Sequence, residues 1–233
     1  MRRRLGILLT LMAMTASAAL AGCSADPPAN PRSTLVEAKH TLDATRTVRF
    51  RVTSAGLPEA GAVLVGGDGI AKRPAAFSGR FRVATGGVAL TLRVVSLDGT
   101  LYAQIPFTER FVATDPDRLG IADPALMLDP KQGLSSFLTG AKRLTHVGQS
   151  RSGKEVLTQV KARLPAKVVG RLLIVADPGA SFETHFFVAE DTGQLRKATF
   201  RGPFYGKNST TTYTVVLDRY GAPATITKPG KGV

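Results

Sequence analysis

The stretch FSGRFRVATGGVALTLRVVSLDGTLYAQI, Phe77 to Ile105, decides the fold. Phe77, Gly79, Phe81 and Val83 alternate with Ser78, Arg80 and Arg82. After Gly86-Gly87, the residues Val88, Leu90, Leu92 and Val94 form a second apolar face, and Asp98-Gly99 turns the chain into Leu101 to Ile105. A period of two means strands with one face buried, and Gly-rich two-residue turns mean antiparallel neighbours.

The same alternation extends outward from this stretch. Upstream, Val48, Phe50 and Val52 alternate with Arg49, Arg51 and Thr53. Before them, Thr34-Leu-Val-Glu37 reads as a capping box, and Leu35, Ala38 and Leu42 recur at helical spacing, which predicts a helix from Thr34 to about Thr45. The run Gly66-Gly67-Asp68-Gly69 lacks the Lys-Ser/Thr of a phosphate loop and reads as a turn or bulge.

Downstream, Asp123-Pro124 and Asp129-Pro130 each place a capping Asp before a first-turn Pro. With Leu134, Phe137, Leu138 and Ala141 on one stripe, they predict a short helix followed by a longer one. Strands are expected at Thr145 to Gln149 and Glu155 to Arg163, and a short helix after Pro165 with Val168, Val169, Leu172 and Leu173 inside. Further strands are expected at Phe182 to Val188, Leu195 to Arg201, Thr210 to Leu217 and Ala224 to Lys228. The fold class is therefore α+β, a single sheet of roughly ten antiparallel strands with helices on one face. So wide a sheet must coil into a trough or half-barrel. The space under the helices is either an ordinary packed core or an apolar cavity.

The N-terminus carries a different message. Arg2, Arg3 and Arg4 precede an apolar run from Leu5 to Leu20, and Leu20-Ala21-Gly22-Cys23 follows. The run is short for a spanning helix and has the layout of a secretory signal peptide. Small residues directly before the chain's one Cys look like a bacterial lipobox. The expectation is cleavage after residue 22 and a diacylglyceryl group on Cys23, which would hold the protein on the outer face of the cell membrane, facing the periplasm. The cell wall, or release from the cell, is a further destination. Residues 23–33 are expected to be the lipidated Cys and a Pro-rich disordered tether, and 34–229 the folded domain.

Composition narrows the chemistry. Of 31 Lys+Arg and 17 Asp+Glu in the 233 residues, cleavage removes three arginines, leaving 28 basic against 17 acidic residues, a charge of +11. A single Cys excludes a disulfide framework. His40, His146 and His185 belong to no ligand spacing, and no GxSxG elbow occurs. Neither a metal, a cofactor nor an enzymatic activity is expected, and export removes nucleic acid as the natural partner. Arg49, Arg51, Arg80, Arg82 and Arg93 lie on the polar strand faces, either as a solvated surface or as one that favours anionic lipid head groups.

These residues resemble the actinobacterial LppX/LprA/LprF/LprG envelope lipoproteins, the LprG-like members most of all. The resemblance is carried by Phe81 to Val95, by Leu97-Asp98-Gly99-Thr100-Leu101-Tyr102-Ala103, by Ala122-Asp123-Pro124-Ala125 with Leu128-Asp129-Pro130 and Gly133-Leu134, by Glu190-Asp191-Thr192-Gly193-Gln194-Leu195, and by Tyr220-Gly221 with Ile226-Thr227-Lys228-Pro229. It implies a strongly curved antiparallel sheet whose concave side, roofed by helices, encloses a large apolar cavity. Such a cavity would take acylated lipids: triacylglycerol, or triacylated glycolipids such as phosphatidylinositol mannosides, lipomannan and lipoarabinomannan, or in LppX phthiocerol dimycocerosates. It also implies a monomeric carrier that moves lipid across the periplasm towards the outer envelope with a major-facilitator transporter of the inner membrane. The chain departs in having no Trp, with Phe111 and Tyr220 near the corresponding positions, and in a shorter loop around Gly179.

The expected cavity-lining residues are Phe77, Phe81, Leu90, Leu92 and Val94 from the strands, Leu134, Phe137 and Leu138 from the longer helix, and Leu172 from the short one. The competing reading is a structural or adhesion lipoprotein with a solid core, acting through its basic face.

Overall fold

The computed structural model describes residues 30–104, 106–116 and 122–230. The signal peptide, Cys23 and most of the expected tether lie outside the described residues. The chain opens with helix α1, Pro31–Ala44. Strands β1 to β6 follow: Thr47–Ala55, Val63–Lys72, Ala76–Thr85, Val88–Leu97, Thr100–Gln104 and Phe111–Thr114. A 3-10 helix, Pro124–Leu128, and α2, Ser135–Gly140, come next. Then β7, Lys142–Ser152, and β8, Glu155–Pro165, lead through α3, Ala166–Val169, to β9, β10 and β11 at Ser181–Ala189, Leu195–Gly202 and Thr211–Asp218.

Among the described residues eleven strands form one antiparallel sheet in the order β6-β5-β4-β3-β2-β1-β11-β10-β9-β8-β7. Two meanders, β1 to β6 and β7 to β11, are joined where β1 pairs with β11, Phe50 opposite Leu217 and Val52 opposite Val215. The sheet does not close, so β6 and β7 are edges. It is a curved half-barrel with the helical segments packed on its apolar side: α1 on α2, β7 and β9, the 3-10 helix on β2, β3 and β4, and α2 and α3 on β8. Among the described residues no helix is long and apolar enough to cross a membrane.

Four expectations are corrected. Helix α1 starts at Pro31, three residues before Thr34, because Asn30 Oδ1 accepts the Arg32 amide at 2.9 Å and Pro31 fits the first helical position. Thr34 Oγ1 instead donates to the Asn30 carbonyl. The longer helix expected after Asp129 is only the six residues of α2. Asp129 does cap the amides of Lys131 and Gln132, but the chain folds back at Gly133, where a Cβ would lie 2.4 to 2.6 Å from the carbonyls of Met127, Asp129 and Leu126.

The Gly66–Gly69 run is not a turn. It lies inside β2, with a bulge between Leu64 and Gly66 at its start. Finally, Ala224–Lys228 forms no strand. Pro223 removes a ladder donor, and the tail is held by side chains instead, Thr47 Oγ1 donating to the Ala222 carbonyl and Lys72 Nζ to that of Ala224.

Candidate functional site

The concave face of the sheet is a field of aromatic rings. Phe50, Phe77 and Phe81 form a triad with centroids 5.4, 5.6 and 6.3 Å apart, and Phe137 of α2 meets Phe200 of β10 edge-on at 5.5 Å. The rings of Phe77 and Phe81 have room because β2 offers no side chain beneath them. A Cβ on Gly69 would lie 2.7 Å from Phe77 Cζ.

Between this floor and its roof lies a partly open apolar cavity of about 50 Å³. Its floor is Phe50, Val52, Leu64, Phe81, Phe200 and Val215. Its roof is Ala122, Pro124 and Met127 around the 3-10 helix, Leu134 and Phe137 at α2, and Leu172 and Leu173 after α3. Among the described residues, no polar side chain lines it. The roof is irregular: Met127, Leu172 and Leu173 pack against the core but are only half-buried.

Of the expected lining, Phe81, Leu134, Phe137 and Leu172 meet around this cavity. Phe77, Leu138 and Val94 are fully buried in packed core outside it, and Leu90 and Leu92 are half-buried on β4 away from it. Among the described residues the apolar space in the trough is about 50 Å³ and not the large cavity implied by the resemblance, because aromatic side chains from both meanders converge on the trough. Sequence reasoning missed Val52, Leu64, Phe200 and Val215. The inward alternation of Val52, Phe200 and Val215 was visible, but the β1–β11 pairing that brings Phe200 and Val215 towards Phe81 was not, and β2, which carries Leu64, was not read as a strand.

The roof is clasped by polar contacts along one side. Arg171 Nη1 donates to the Lys131 carbonyl and to Ser136 Oγ, both at 3.0 Å. Lys39 Nζ of α1 donates to Asp43 at 2.6 Å, to the Pro130 carbonyl at 3.0 Å and to Ser135 Oγ.

The convex face carries the charge. Arg49 grips Asp218 through two bonds of 2.5 and 2.6 Å, which hold the Asp218 carboxyl below its ordinary range. Arg80 pairs with Asp68 at 3.1 Å. Lys161, with His185 beside it, lowers Glu183 in the same way. Arg51 and Arg82 stand exposed on this face. Among the described residues, no group of three or more His, Cys, Asp or Glu could hold a metal.

The family model for the LppX_LprAFG lipoprotein matches residues 30–226. The chain belongs to this family. Its members share the open sheet. LprF from Mycobacterium bovis superposes with a TM-score of 0.66 at 15% identity, covering 85% of this chain and 96% of LprF. LppX from Mycobacterium tuberculosis gives 0.60 at 12% identity, covering 84% of this chain and 98% of LppX. At such identities the two structures establish a common LppX_LprAFG fold and nothing finer. No curated protein matches the chain.

Proposed function

We propose that this LppX_LprAFG lipoprotein is a lipid carrier and not an enzyme. On this reading it is anchored by a diacylglyceryl group on Cys23 to the outer face of the cell membrane, binds triacylglycerol or triacylated glycolipids, and passes them across the periplasm with an inner-membrane transporter. The observation that supports it is the wholly apolar seam between the concave sheet and a roof made of short, irregular segments. A roof of that kind separates from the floor without unfolding a long helix.

A cavity of about 50 Å³ is far below the roughly 300–1,000 Å³ of a ligand pocket, so loading on this reading requires the roof to lift. Exposed CH₂ groups cost about 0.8 kcal/mol each, so the acyl chains themselves stabilise the lifted form by covering its apolar surface. The same small volume supports the second reading, a solid-cored structural or adhesion lipoprotein acting through its basic face.

One experiment separates them. A soluble version starting after Cys23, incubated with native host membranes and repurified, is extracted with organic solvent and analysed by mass spectrometry. Acylated lipid in near-stoichiometric yield upholds the carrier. No lipid, together with a crystal structure whose cavity stays below 300 Å³, overturns it.

A further inference from the structure

The two ends of the trough are built differently. At one end α1 buries Leu35, Ala38 and Leu42 against the core. The other end is made by the β1–β2 and β3–β4 turns, the start of β11 and the loop after β5. Here Val63 pairs with Ala84 and Ala55 with Thr212. The cavity lies towards this second end, since Val52, Leu64 and Phe81 come from the halves of β1, β2 and β3 nearest these turns.

This end is apolar where water should favour charge. Residues 83–91 of the β3–β4 hairpin, VATGGVALT, carry no charge in a chain that is 21% charged. Val88 at its tip is 59% exposed. Beside it, residues 106–109 share a cleft with Thr91 of β4, and Phe107 among them is 98% exposed. Its φ of 64° lies in the region that bulky side chains avoid. Around these tips stand the exposed Arg82, Arg110 and Lys207, against Glu59 and Glu109. Apolar tips inside a mainly basic rim match the chemistry of a bilayer carrying anionic head groups.

We propose that this hairpin end docks on an anionic lipid bilayer, with Val88 and Phe107 entering the head-group region and the cavity facing the membrane. Docking places the route for an acyl chain between bilayer and cavity out of water, and in that purpose it rests on the carrier reading.

The chain has no Trp, so a single introduced Trp is its own reporter. The full lipid-anchored protein is placed in vesicles of phosphatidylcholine and phosphatidylglycerol, with and without doxyl-labelled lipid, as Phe107→Trp, as Val88→Trp, and as Val147→Trp on the β7 edge for reference. The first two are expected to emit blue-shifted and to lose most of their intensity to the doxyl lipid, while the reference stays solvent-like and unquenched. Phe107→Trp emission that is solvent-like, or blue-shifted yet unquenched because a second copy or a protein covers the tip, overturns the proposal. Cavity contents do not enter the measurement. Quenching without co-purified lipid therefore upholds docking while removing the carrier, and recovered lipid without quenching does the reverse.

Discussion

The ring of Phe81 lies on Gly67: a Cβ at Gly67 would stand 2.5 Å from Phe81 Cδ1 and 2.7 Å from the Arg80 carbonyl. The glycine is the socket that lets the ring lie down on the sheet. Gly67→Ala is expected to cost about 1–3 kcal/mol by overpacking. In a double-mutant cycle with Phe81→Leu the two costs should be less than additive, since the smaller side chain vacates the space. Urea denaturation of the four proteins measures this, and strict additivity would show that the carbonyl clash dominates.

Phe81 also forms part of the cavity floor. Phe81→Trp adds volume to a space of about 50 Å³ and is expected to cost about 1–3 kcal/mol while the fold survives. On the carrier reading it lowers the lipid recovered per protein. Unchanged lipid occupancy would remove Phe81 from the binding surface.

Tyr213 and Tyr205 staple the bulged start of β2. Tyr213 Oη donates to the Leu64 carbonyl at 2.8 Å, Tyr205 Oη accepts the Leu64 amide at 2.9 Å, and the two hydroxyls touch. Burial and the neighbouring hydroxyl push the Tyr213 phenol far above its ordinary pKa, so it stays a donor throughout the useful pH range. Tyr213→Phe leaves the buried Leu64 carbonyl without this donor and should cost about 1–3 kcal/mol. Thermal melting checks it, and a change within error would mean that Tyr205 takes over the bond.

Arg171 holds the roof at Lys131 and Ser136 from an exposed position. Arg171→Ala should change global stability by about 1 kcal/mol or less. Uptake of a fluorescent fatty-acyl probe should speed up several-fold if roof lifting limits loading. Stopped-flow mixing reads the rate directly, and an unchanged rate places the limiting step elsewhere.

Three carboxylates are expected to make the fold less stable in acid. Asp218 is held low by Arg49, Glu183 by Lys161, and Asp129 by the amides of Gln132 and Lys131. A depressed folded pKa means that the folded chain binds the proton less readily than the unfolded one. The stability so contributed is present above the unfolded value near pH 4 and is lost as pH falls through the folded values. Melting temperature should therefore drop below about pH 4, and the drop should be shallower in an Asp218→Asn, Glu183→Gln variant. Equal slopes would place the acid sensitivity in other groups.

Much of the strand pattern was legible because side chains alternate with a period of two. Phe50, Phe81 and Val94 point inward as their spacing requires, and Arg49, Arg51 and Arg82 point outward. β2 was not legible. Its glycines read as a turn, and their true reason, the rings of Phe77 and Phe81 lying on them, belongs to the neighbouring strand. The helix expected after Asp129 failed for a similar reason, since the tight approach of Gly133 to three carbonyls is a contact between parts of one loop that no periodicity records.

The order of apolar and polar residues by itself determined the antiparallel half-barrel and its two faces, because each strand must bury one side whatever its neighbours are. Only the tertiary structure decided what the buried side contains. The pairing of β1 with β11 brings Phe200 and Val215 of the second meander against Phe50 and Phe81 of the first, and the 3-10 helix and α2 lower Met127 and Phe137 onto them. Packing across that seam depends on shape and distance between residues far apart in the chain. It reduces the trough to about 50 Å³ in this conformation.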